Sequence, residues 1–225
     1  MTIPSVLPLL KHLPIRTPTE RRVERLLHDL VRPTRPMPRP TLWSASWETL
    51  HSLCTRIRTA PDPITMCEFG SGTSTAWFAL AARAAGGGHV HSVDHELRYA
   101  DRTRELLTAQ GVAEWATVHH GPLAPSARNQ DQPWYDERVF ELVPAGINLV
   151  FVDGPVASLG SDIRYPALPT IADKLADHCT VVLDDTHRAK EQAIWERWIS
   201  ELSDEFLITV EPALSRSTAM LLQRR

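Results

Sequence analysis

The segment MCEFGSGTST, residues 66–75, decides the fold of this chain. Its apolar first half predicts a buried β-strand that leads directly into a turn with two glycines. Because glycine has no Cβ, Gly70 and Gly72 would let a ligand contact the backbone. The Ala-rich segment that follows predicts a helix, with Thr73 and Ser74 as candidate N-caps. A strand–turn–helix unit of this kind directs free N–H groups into a crevice where a ligand can bind.

The composition predicts one soluble globular domain. The chain has 225 residues, of which 43% are hydrophobic and 23% charged, as is usual for such domains. The net charge of −3 argues against nucleic acid or an anionic membrane as a partner. No segment reaches the roughly 20 apolar residues of a membrane helix. Prolines interrupt the apolar N-terminus, so a signal peptide is not expected. The three cysteines are widely spaced, which predicts reduced thiols and a cytoplasmic location.

Residues 1–40 are predicted to form a proline-rich leader. One short amphipathic helix is expected over residues 19–30, and residues 32–40 are expected to be extended because of their prolines. Three roles are open for this leader: packing on the domain, covering the active site, or forming a homodimer. We expect it to pack on a domain that spans residues 41–225.

Downstream of the leader, predicted strands alternate with predicted helices. Strands are expected at 64–69, 89–94, 115–120, 147–153 and 180–185, and helices at 42–58, 73–85, 96–110, 169–177 and 188–202. A long loop is predicted over 121–146, and an antiparallel strand pair over 206–210 and 218–222. This order predicts an α/β fold with a Rossmann-like, doubly wound, mostly parallel seven-stranded sheet and a C-terminal antiparallel pair.

Four acidic residues end predicted strands, namely Asp94, Asp153, Asp184 and Asp185. Ligands of doubly wound sheets bind at these strand ends. Asp153 and Asp184 would lie on strands about 4.8 Å apart, where two carboxylates repel by roughly 3 kcal/mol at an effective dielectric near 20. A cation, a raised pKa, an arginine or divergent geometry must offset this repulsion. Asp184 and Asp185 can both bind one ion only if the strand has ended before them, since consecutive strand residues face opposite ways.

The glycine turn departs from the dinucleotide-binding pattern, because Thr75 stands where the third glycine is expected. Glu68 precedes the first glycine by two residues. This pattern, followed by a strand that ends in Asp94, resembles class I S-adenosylmethionine-dependent methyltransferases. The later segments VFVDGP (150–155), RYPALP (164–169) and VLDD (182–185) resemble a bacterial branch that methylates hydroxyls of small molecules or sugars. The resemblance covers residues 41–225.

The resemblance implies S-adenosylmethionine as the cofactor. Gly70 and Gly72 would approach its methionine and ribose parts, and Asp94 would accept hydrogen bonds from both ribose hydroxyls, since a carboxylate is acceptor-only. Two alternatives stay open: Asp94 as a helix N-cap and Gly72 as part of a plain tight turn. The full set of expected cofactor-binding residues is Glu68, Gly70, Gly72, Thr73, Ser74, Asp94, His95, Pro122, Leu123 and Asp153.

The resemblance also implies a second cofactor. Metal-dependent O-methyltransferases of this superfamily bind Mg²⁺ through acids at these strand ends, which makes Asp153, Asp184 and Asp185 candidate metal ligands. Those enzymes often carry a lysine shortly after the first acid, whereas this chain has Gly154 and Pro155. In the competing interpretation, Asp153 orients the methionine end of the cofactor while Asp184 or Asp185 caps the next helix.

His187 is the candidate general base, because an imidazole titrates near neutral pH; an exposed histidine in a first helical turn is the alternative. Asp153 is a second catalytic candidate. Trp134, Tyr135, Arg164 and Tyr165 are candidates for the pocket of a small-molecule acceptor, with packing as the alternative. We expect methyl transfer to a hydroxyl. The alternatives are a non-catalytic partner subunit that binds the cofactor, a metal-free N-methyltransferase, an aminopropyl transferase and a nucleotide-dependent oxidoreductase.

Overall fold

The computed structural model describes residues 17–39, 44–126, 129–212 and 214–225, without the side chains of residues 129–131. The strands are β1 (Thr65–Phe69), β2 (His89–Asp94), β3 (Ala116–His120), β4 (Leu123–Ser126), β5 (Asn129–Tyr135), β6 (Ile147–Val152), β7 (Leu175–Leu183), β8 (Phe206–Val210) and β9 (Thr218–Arg224). The helices are α1 (Pro18–Val31), α2 (Trp47–Thr59), α3 (Thr73–Ala85), α4 (Leu97–Gln110), α5 (Ala167–Ile171) and α6 (Ala189–Leu202).

Seven of these strands form one sheet in the order β3-β2-β1-β6-β7-β9-β8. The first five are parallel to their neighbours, and β9 runs antiparallel between β7 and β8. The predicted Rossmann-like sheet with a C-terminal antiparallel pair is therefore confirmed. The strand order reverses between β1 and β6, so the ligand crevice is expected beside the carboxyl ends of these two strands.

Each face of the sheet supports a separate hydrophobic core. Met66 and Phe151 point to the face covered by α1 to α4, whereas Cys67 and Val150 point to the face that packs against α5 and α6. Neighbouring positions of one strand thus serve opposite cores, because the side chains of a strand alternate. The continuous apolar run of β6 follows from this burial on both sides.

Glycines end two helices as the sequence predicted. Gly86 and Gly111 adopt positive φ angles of +76° and +65° directly after α3 and α4. Their N–H groups donate to the last carbonyls of each helix, which is the usual role of glycine at this position. The lengths of these two helices are therefore encoded locally.

Three predicted elements differ from the structure. The predicted loop 121–146 contains the antiparallel hairpin of β4 and β5 and a 3-10 helix over Glu137–Leu142. The predicted helix 169–177 is wrong only in its last three residues: α5 ends at Ile171, a 3-10 helix spans Ala172–Lys174, and β7 begins at Leu175, where it pairs with β6. The predicted helix 42–58 begins at Trp47, where Ser46 acts as the N-cap; residues 42 and 43 lie outside the described part. At residues 175–177, long-range strand pairing overrides local helix propensity.

α1 packs on α2 and α3. It begins with a capping box in which Thr17 and Glu20 bond each other's backbone N–H groups, and it buries Leu27 and Val31 in the core. Residues 1–16 of the predicted leader lie outside the described residues. In the part of the chain that the structure describes, no helix is long and apolar enough to cross a membrane.

Candidate active site

The glycine turn lies at the carboxyl end of β1. Gly70 has a φ of +92°, a conformation that favours glycine, and its N–H donates to the carbonyl of Val93 at 2.8 Å. Because α3 begins at Thr73, its N-cap is Gly72 rather than the predicted Thr73 or Ser74, and the Gly72 N–H donates to the Thr75 hydroxyl at 3.0 Å. A Cβ added at Gly72 would have no neighbour within 4 Å among the described residues. The predicted ligand-contacting turn is thus open at the start of α3.

Glu68 is fully buried beneath this turn. Its two carboxylate oxygens accept hydrogen bonds from Ser74 Oγ at 2.5 Å and Thr75 Oγ1 at 2.6 Å. Burial raises the pKa of Glu68 to about 7, although these hydrogen bonds oppose the shift. The carboxyl group therefore ties the first turn of α3 to β1, and the predicted role of Glu68 in cofactor binding stays a prediction.

Asp94, which ends β2, supports both neighbouring turns. Its Oδ2 accepts hydrogen bonds from the Ser71 N–H at 2.9 Å and the Ser71 hydroxyl at 2.7 Å. Its Oδ1 accepts from the Glu96 N–H at 2.9 Å, and the His95 ring nitrogen Nδ1 lies 3.8 Å from the same oxygen. Each carboxylate oxygen has two lone pairs, so Asp94 retains capacity to accept from a ribose. Its role and that of His95 in cofactor binding stay predictions.

Pro122 and Leu123, which are both expected cofactor-binding residues, follow β3. The Gly121 N–H donates to the Asp94 carbonyl at 2.9 Å, and the Pro122 carbonyl accepts from the Asp136 N–H at 2.9 Å. Leu123 pairs with Tyr135 in the hairpin. Pro122 and Leu123 are thereby fixed next to Asp94, on the same edge of the sheet as the glycine turn.

Asp153, Asp184 and Asp185 converge at the carboxyl ends of β6 and β7. Each offers a carboxylate oxygen, and these atoms lie within 4.8 Å of one another. β7 ends at Leu183, and Asp185 adopts a left-handed φ of +63°, which aspartate tolerates better than most residues. The strand has therefore ended before the two adjacent acids, so both carboxylates can reach the same point.

Arg164 supplies positive charge to this acidic cluster from a buried position. Its Nη2 lies 3.2 Å from Asp153 Oδ1, and its Nη1 lies 3.4 Å from Asp185 Oδ2. The same guanidinium also donates to the backbone carbonyls of Asp153, Pro155 and Asp184. An arginine is thus one answer to the predicted repulsion between the acids.

Two further side chains complete the cluster. Arg188 Nη1 lies 2.9 Å from Asp185 Oδ2, and the Ser217 hydroxyl donates to Asp184 Oδ1 at 2.6 Å. The N-cap of α6 is Arg188, with no side-chain hydrogen bond at that cap among the described residues. The interpretation in which Asp184 or Asp185 caps this helix is therefore wrong; their carboxylates bind side chains instead.

The carboxyl group of Asp153 has a strongly shifted pKa. Burial raises its pKa well above the usual range, and the carboxylates of Asp184 and Asp185 raise it further. The guanidinium of Arg164 opposes this shift. Asp153 therefore holds a proton more readily than an exposed aspartate does.

A cavity of about 140 Å³ opens over the cluster. Three acids and three arginines give the cavity a polar lining, and four smaller residues complete its wall. The lining residues are Ser44, Asp153, Val156, Ala157, Ser158, Arg164, Asp184, Asp185, Arg188 and Arg216. Of the four predicted acceptor-pocket residues, only Arg164 is part of this lining. Trp134 and Tyr135 are buried beside Phe69, with ring centroids 5.7 and 6.2 Å from it.

Tyr165 and His187 lie elsewhere. The Tyr165 hydroxyl donates to the carboxylate of Glu201, and the Arg197 guanidinium stacks 3.5 Å from the centre of its ring. His187 is exposed in the turn between β7 and α6 and is not part of the cavity lining. Their predicted roles in acceptor binding and proton removal stay predictions.

Sequence reasoning did not identify Arg188, Arg216 and Ser217. Asp185 and Arg188 both lie in the turn before α6, so the i,i+3 spacing rule for helices does not predict their ion pair. Ser217 gives no signal either, because only the antiparallel pairing of β9 with β7 brings it beside Asp184.

Comparison with known proteins identifies a family for this chain and several proteins with a similar fold. The model of a family described as a methyltransferase domain matches residues 67–186, more than half of the chain. An O-methyltransferase from Bacillus cereus in complex with S-adenosylhomocysteine superposes with a TM-score of 0.61 at 15% identity, over 94% of this chain and 93% of the other. The S-adenosylmethionine-bound O-methyltransferase TomG from Streptomyces achromogenes, involved in tomaymycin synthesis, gives 0.59 at 15% identity, over 94% and 92%. The S-adenosylhomocysteine-bound methyltransferase PaMTH1 from Podospora anserina gives 0.59 at 14%, over 95% and 98%.

These structural neighbours share the fold with this chain, and the family model defines its class. The chain belongs to the methyltransferase-domain family and is a class I S-adenosylmethionine-dependent methyltransferase.

Proposed function

We propose that this protein transfers a methyl group from S-adenosylmethionine to a hydroxyl of a small, polar, sugar-like molecule. One observation carries the proposal: the glycine turn and the acidic cluster meet at the switch point of the sheet. A Cβ added at Gly154, beside Asp153, would lie 2.9 Å from Gly70 Cα. The expected donor site and the acidic cavity are therefore direct neighbours.

The lining of the cavity favours a polar acceptor. Alternating carboxylates and guanidinium groups can accept from and donate to several hydroxyls at once. A volume of about 140 Å³ is below the roughly 300–1,000 Å³ of a pocket that encloses a whole drug-sized ligand. The cavity therefore suits the reacting end of an acceptor whose remainder extends outside it.

Methyl transfer requires mainly alignment from the protein, because the sulfonium donor is already activated. Holding nucleophile and methyl group in line can contribute roughly 7–11 kcal/mol. In our proposal, the backbone of the glycine turn and Asp94 hold the donor, while Arg164 fixes Asp153 and Asp185 at the acceptor.

The acidic cluster also fits a divalent cation. Carboxylate oxygens are the ligands that Mg²⁺ prefers, and three of them lie within 4.8 Å of one another. The hydrogen bonds and ion pairs described for the cluster involve one oxygen of each carboxylate: Asp153 Oδ1, Asp184 Oδ1 and Asp185 Oδ2. We propose that these three residues hold Mg²⁺, which when bound would lower the pKa of the acceptor hydroxyl.

Two measurements test the proposal. Calorimetry with S-adenosylhomocysteine should show binding at about 100 μM ligand, since typical affinities are tighter than this; absence of binding by the folded protein would overturn the proposal. Turnover of labelled S-adenosylmethionine should then be measured with a panel of polyhydroxylated acceptors and their amino analogues. Transfer to amines alone would indicate an N-methyltransferase, and binding without any transfer would indicate a partner subunit.

A further inference from the structure

The turn between β8 and β9 places an arginine, Arg216, in the wall of the acidic cavity. Residues 214–217 form a tight turn in which the N–H groups of Leu214 and Ser217 each donate to the other residue's carbonyl, at 2.7 and 2.8 Å. The carbonyl of Arg216 accepts a hydrogen bond from the Thr186 hydroxyl at 3.2 Å. The backbone of Arg216 is therefore tied to the turn that follows β7, and its side chain lines the cavity.

The guanidinium of Arg216 differs from those of the other two arginines in this lining. Arg164 and Arg188 both form ion pairs with acids of the cluster. Arg216 forms no ion pair with any residue that the structure describes, and its one hydrogen bond to them runs from Nη2 to the Ser44 carbonyl at 2.6 Å. A guanidinium has five N–H donors in a planar fork, so most donors of Arg216 are available to a ligand.

The charge of the cavity favours an anion as this ligand. Guanidinium groups bind carboxylate and phosphate oxygens through pairs of hydrogen bonds, which are stronger than hydrogen bonds between neutral groups. Three carboxylates and three guanidinium groups line the cavity, so their formal charges cancel. Mg²⁺ bound by the carboxylates, as proposed above, would leave a formal charge of about +2 in this lining. A negative group on the acceptor would reduce that charge.

We propose that Arg216 binds an anionic group, a carboxylate or a phosphate, on the methyl acceptor. The proposal rests on the proposed function, because it concerns the acceptor of that reaction. A cavity of about 140 Å³ corresponds to a sphere only about 6 Å across, so the anionic group and the reacting hydroxyl must be close together on the acceptor. The acceptor class is therefore a small hydroxylated acid, such as a sugar acid or a sugar phosphate.

Binding of three related sugars tests this assignment. D-glucuronate carries a carboxylate, D-glucose 6-phosphate carries a phosphate, and D-glucose carries neither. Shifts of the Tm over a series of sugar concentrations at constant ionic strength give the dissociation constant of each sugar. S-adenosylhomocysteine is present to fill the donor site, and EDTA is present so that no free cation holds the anion. The wild type should bind an anionic sugar about 10-fold more tightly than D-glucose, the lower end of what a hydrogen bond to a charged group contributes. Whether the carboxylate or the phosphate binds more tightly identifies the anion.

The substitution Arg216→Gln removes the charge but keeps an N–H donor for the Ser44 carbonyl. It should weaken binding of the anionic sugars about 10-fold and leave the binding of D-glucose unchanged. Arg216→Lys keeps the charge without the planar fork, so it should lose less. Arg102→Gln is the matched control, because Arg102 is an exposed arginine of α4 that does not line the cavity. This control should bind all three sugars as the wild type does.

A wild type that binds neither anionic sugar more tightly than D-glucose would overturn the assignment, and so would an equal loss for all three sugars in Arg216→Gln. Calorimetry with S-adenosylhomocysteine on each protein separates these results from the proposed function, which fails if the wild type does not bind that ligand. The same titration shows whether each variant is folded. If Arg216→Gln does not fold, the preference of the wild type and of Arg216→Lys for an anionic sugar still decides the assignment.

Discussion

Replacing Arg164 by methionine tests whether the arginine holds the acidic cluster together. The substitution preserves an extended side chain but removes the guanidinium. Three backbone carbonyls and two carboxylates lose a donor. The side chain is 4% exposed, so water cannot easily replace those donors.

Removing one partner of a buried ion pair costs about 3–5 kcal/mol. A chain of this size shifts its Tm by about 2–4 °C for each kcal/mol. We therefore expect the Arg164→Met variant to melt about 6–20 °C below the wild type. Urea titration should show the same loss as a lower midpoint with an unchanged slope, because the fold and its buried area persist.

Arg188→Met is the matched control for this experiment. Its side chain is 43% exposed and contacts Asp185 from the surface side, so its loss should cost less than about 1 kcal/mol. Mg²⁺ should stabilise Arg164→Met more than the wild type, because the ion can supply the missing positive charge. A variant within 1 kcal/mol of the wild type would refute the reasoning, since the carboxylates would then need no counter-ion.

Further substitutions test other parts of the site. Since burial raises the pKa of Glu68 from its ordinary 4.5 to about 7, its contribution to stability is complete below pH 4.5 and declines as the pH rises to 7. Glu68→Gln should remove up to about 3 kcal/mol of this pH dependence, and parallel urea midpoints from pH 5 to 8 for variant and wild type would contradict it. Gly72→Ala should keep its Tm but lose S-adenosylhomocysteine affinity in calorimetry, because only a ligand would meet the new methyl group; unchanged affinity would argue against a ligand there. Gly154→Ala should lower the Tm by several degrees, because its methyl group would clash with Tyr135; an unchanged Tm would mean that the turn relaxes. EDTA should abolish methyl transfer, Mg²⁺ should restore it, and Asp184→Asn should raise the Mg²⁺ concentration required; full activity in chelator would exclude the metal.

The elements that the sequence predicted well are those whose signals are local. Gly86 and Gly111 end their helices at the predicted positions, because a left-handed residue after a helix strongly favours glycine. The acids at strand ends could be aligned on one edge because parallel strands share a direction. These features required no knowledge of which segments pair across the chain.

Features that depend on distant partners could not be predicted in this way. The hairpin in residues 121–146 contains prolines at paired positions 125 and 133, which are tolerated because both of its strands are edge strands. Arg164 is another case. The sequence suggested a residue of the acceptor pocket, and its place in the cavity lining agrees with that prediction, but its ion pairs with the acids that follow β6 and β7 could not be predicted.

The charges of the acidic cluster link the expected donor site to the acceptor cavity. The three carboxylates that line the cavity are balanced by the guanidinium groups of Arg164, Arg188 and Arg216, so the formal charge is about zero when all are ionised. A divalent cation held by the carboxylates and the sulfonium of the donor would therefore repel each other, because no net negative charge offsets their repulsion. Binding of Mg²⁺ and of S-adenosylmethionine should therefore be antagonistic, whereas the neutral sulfur of S-adenosylhomocysteine escapes this repulsion. Because such coupling is reciprocal, the donor should weaken Mg²⁺ binding by the same factor by which Mg²⁺ weakens donor binding.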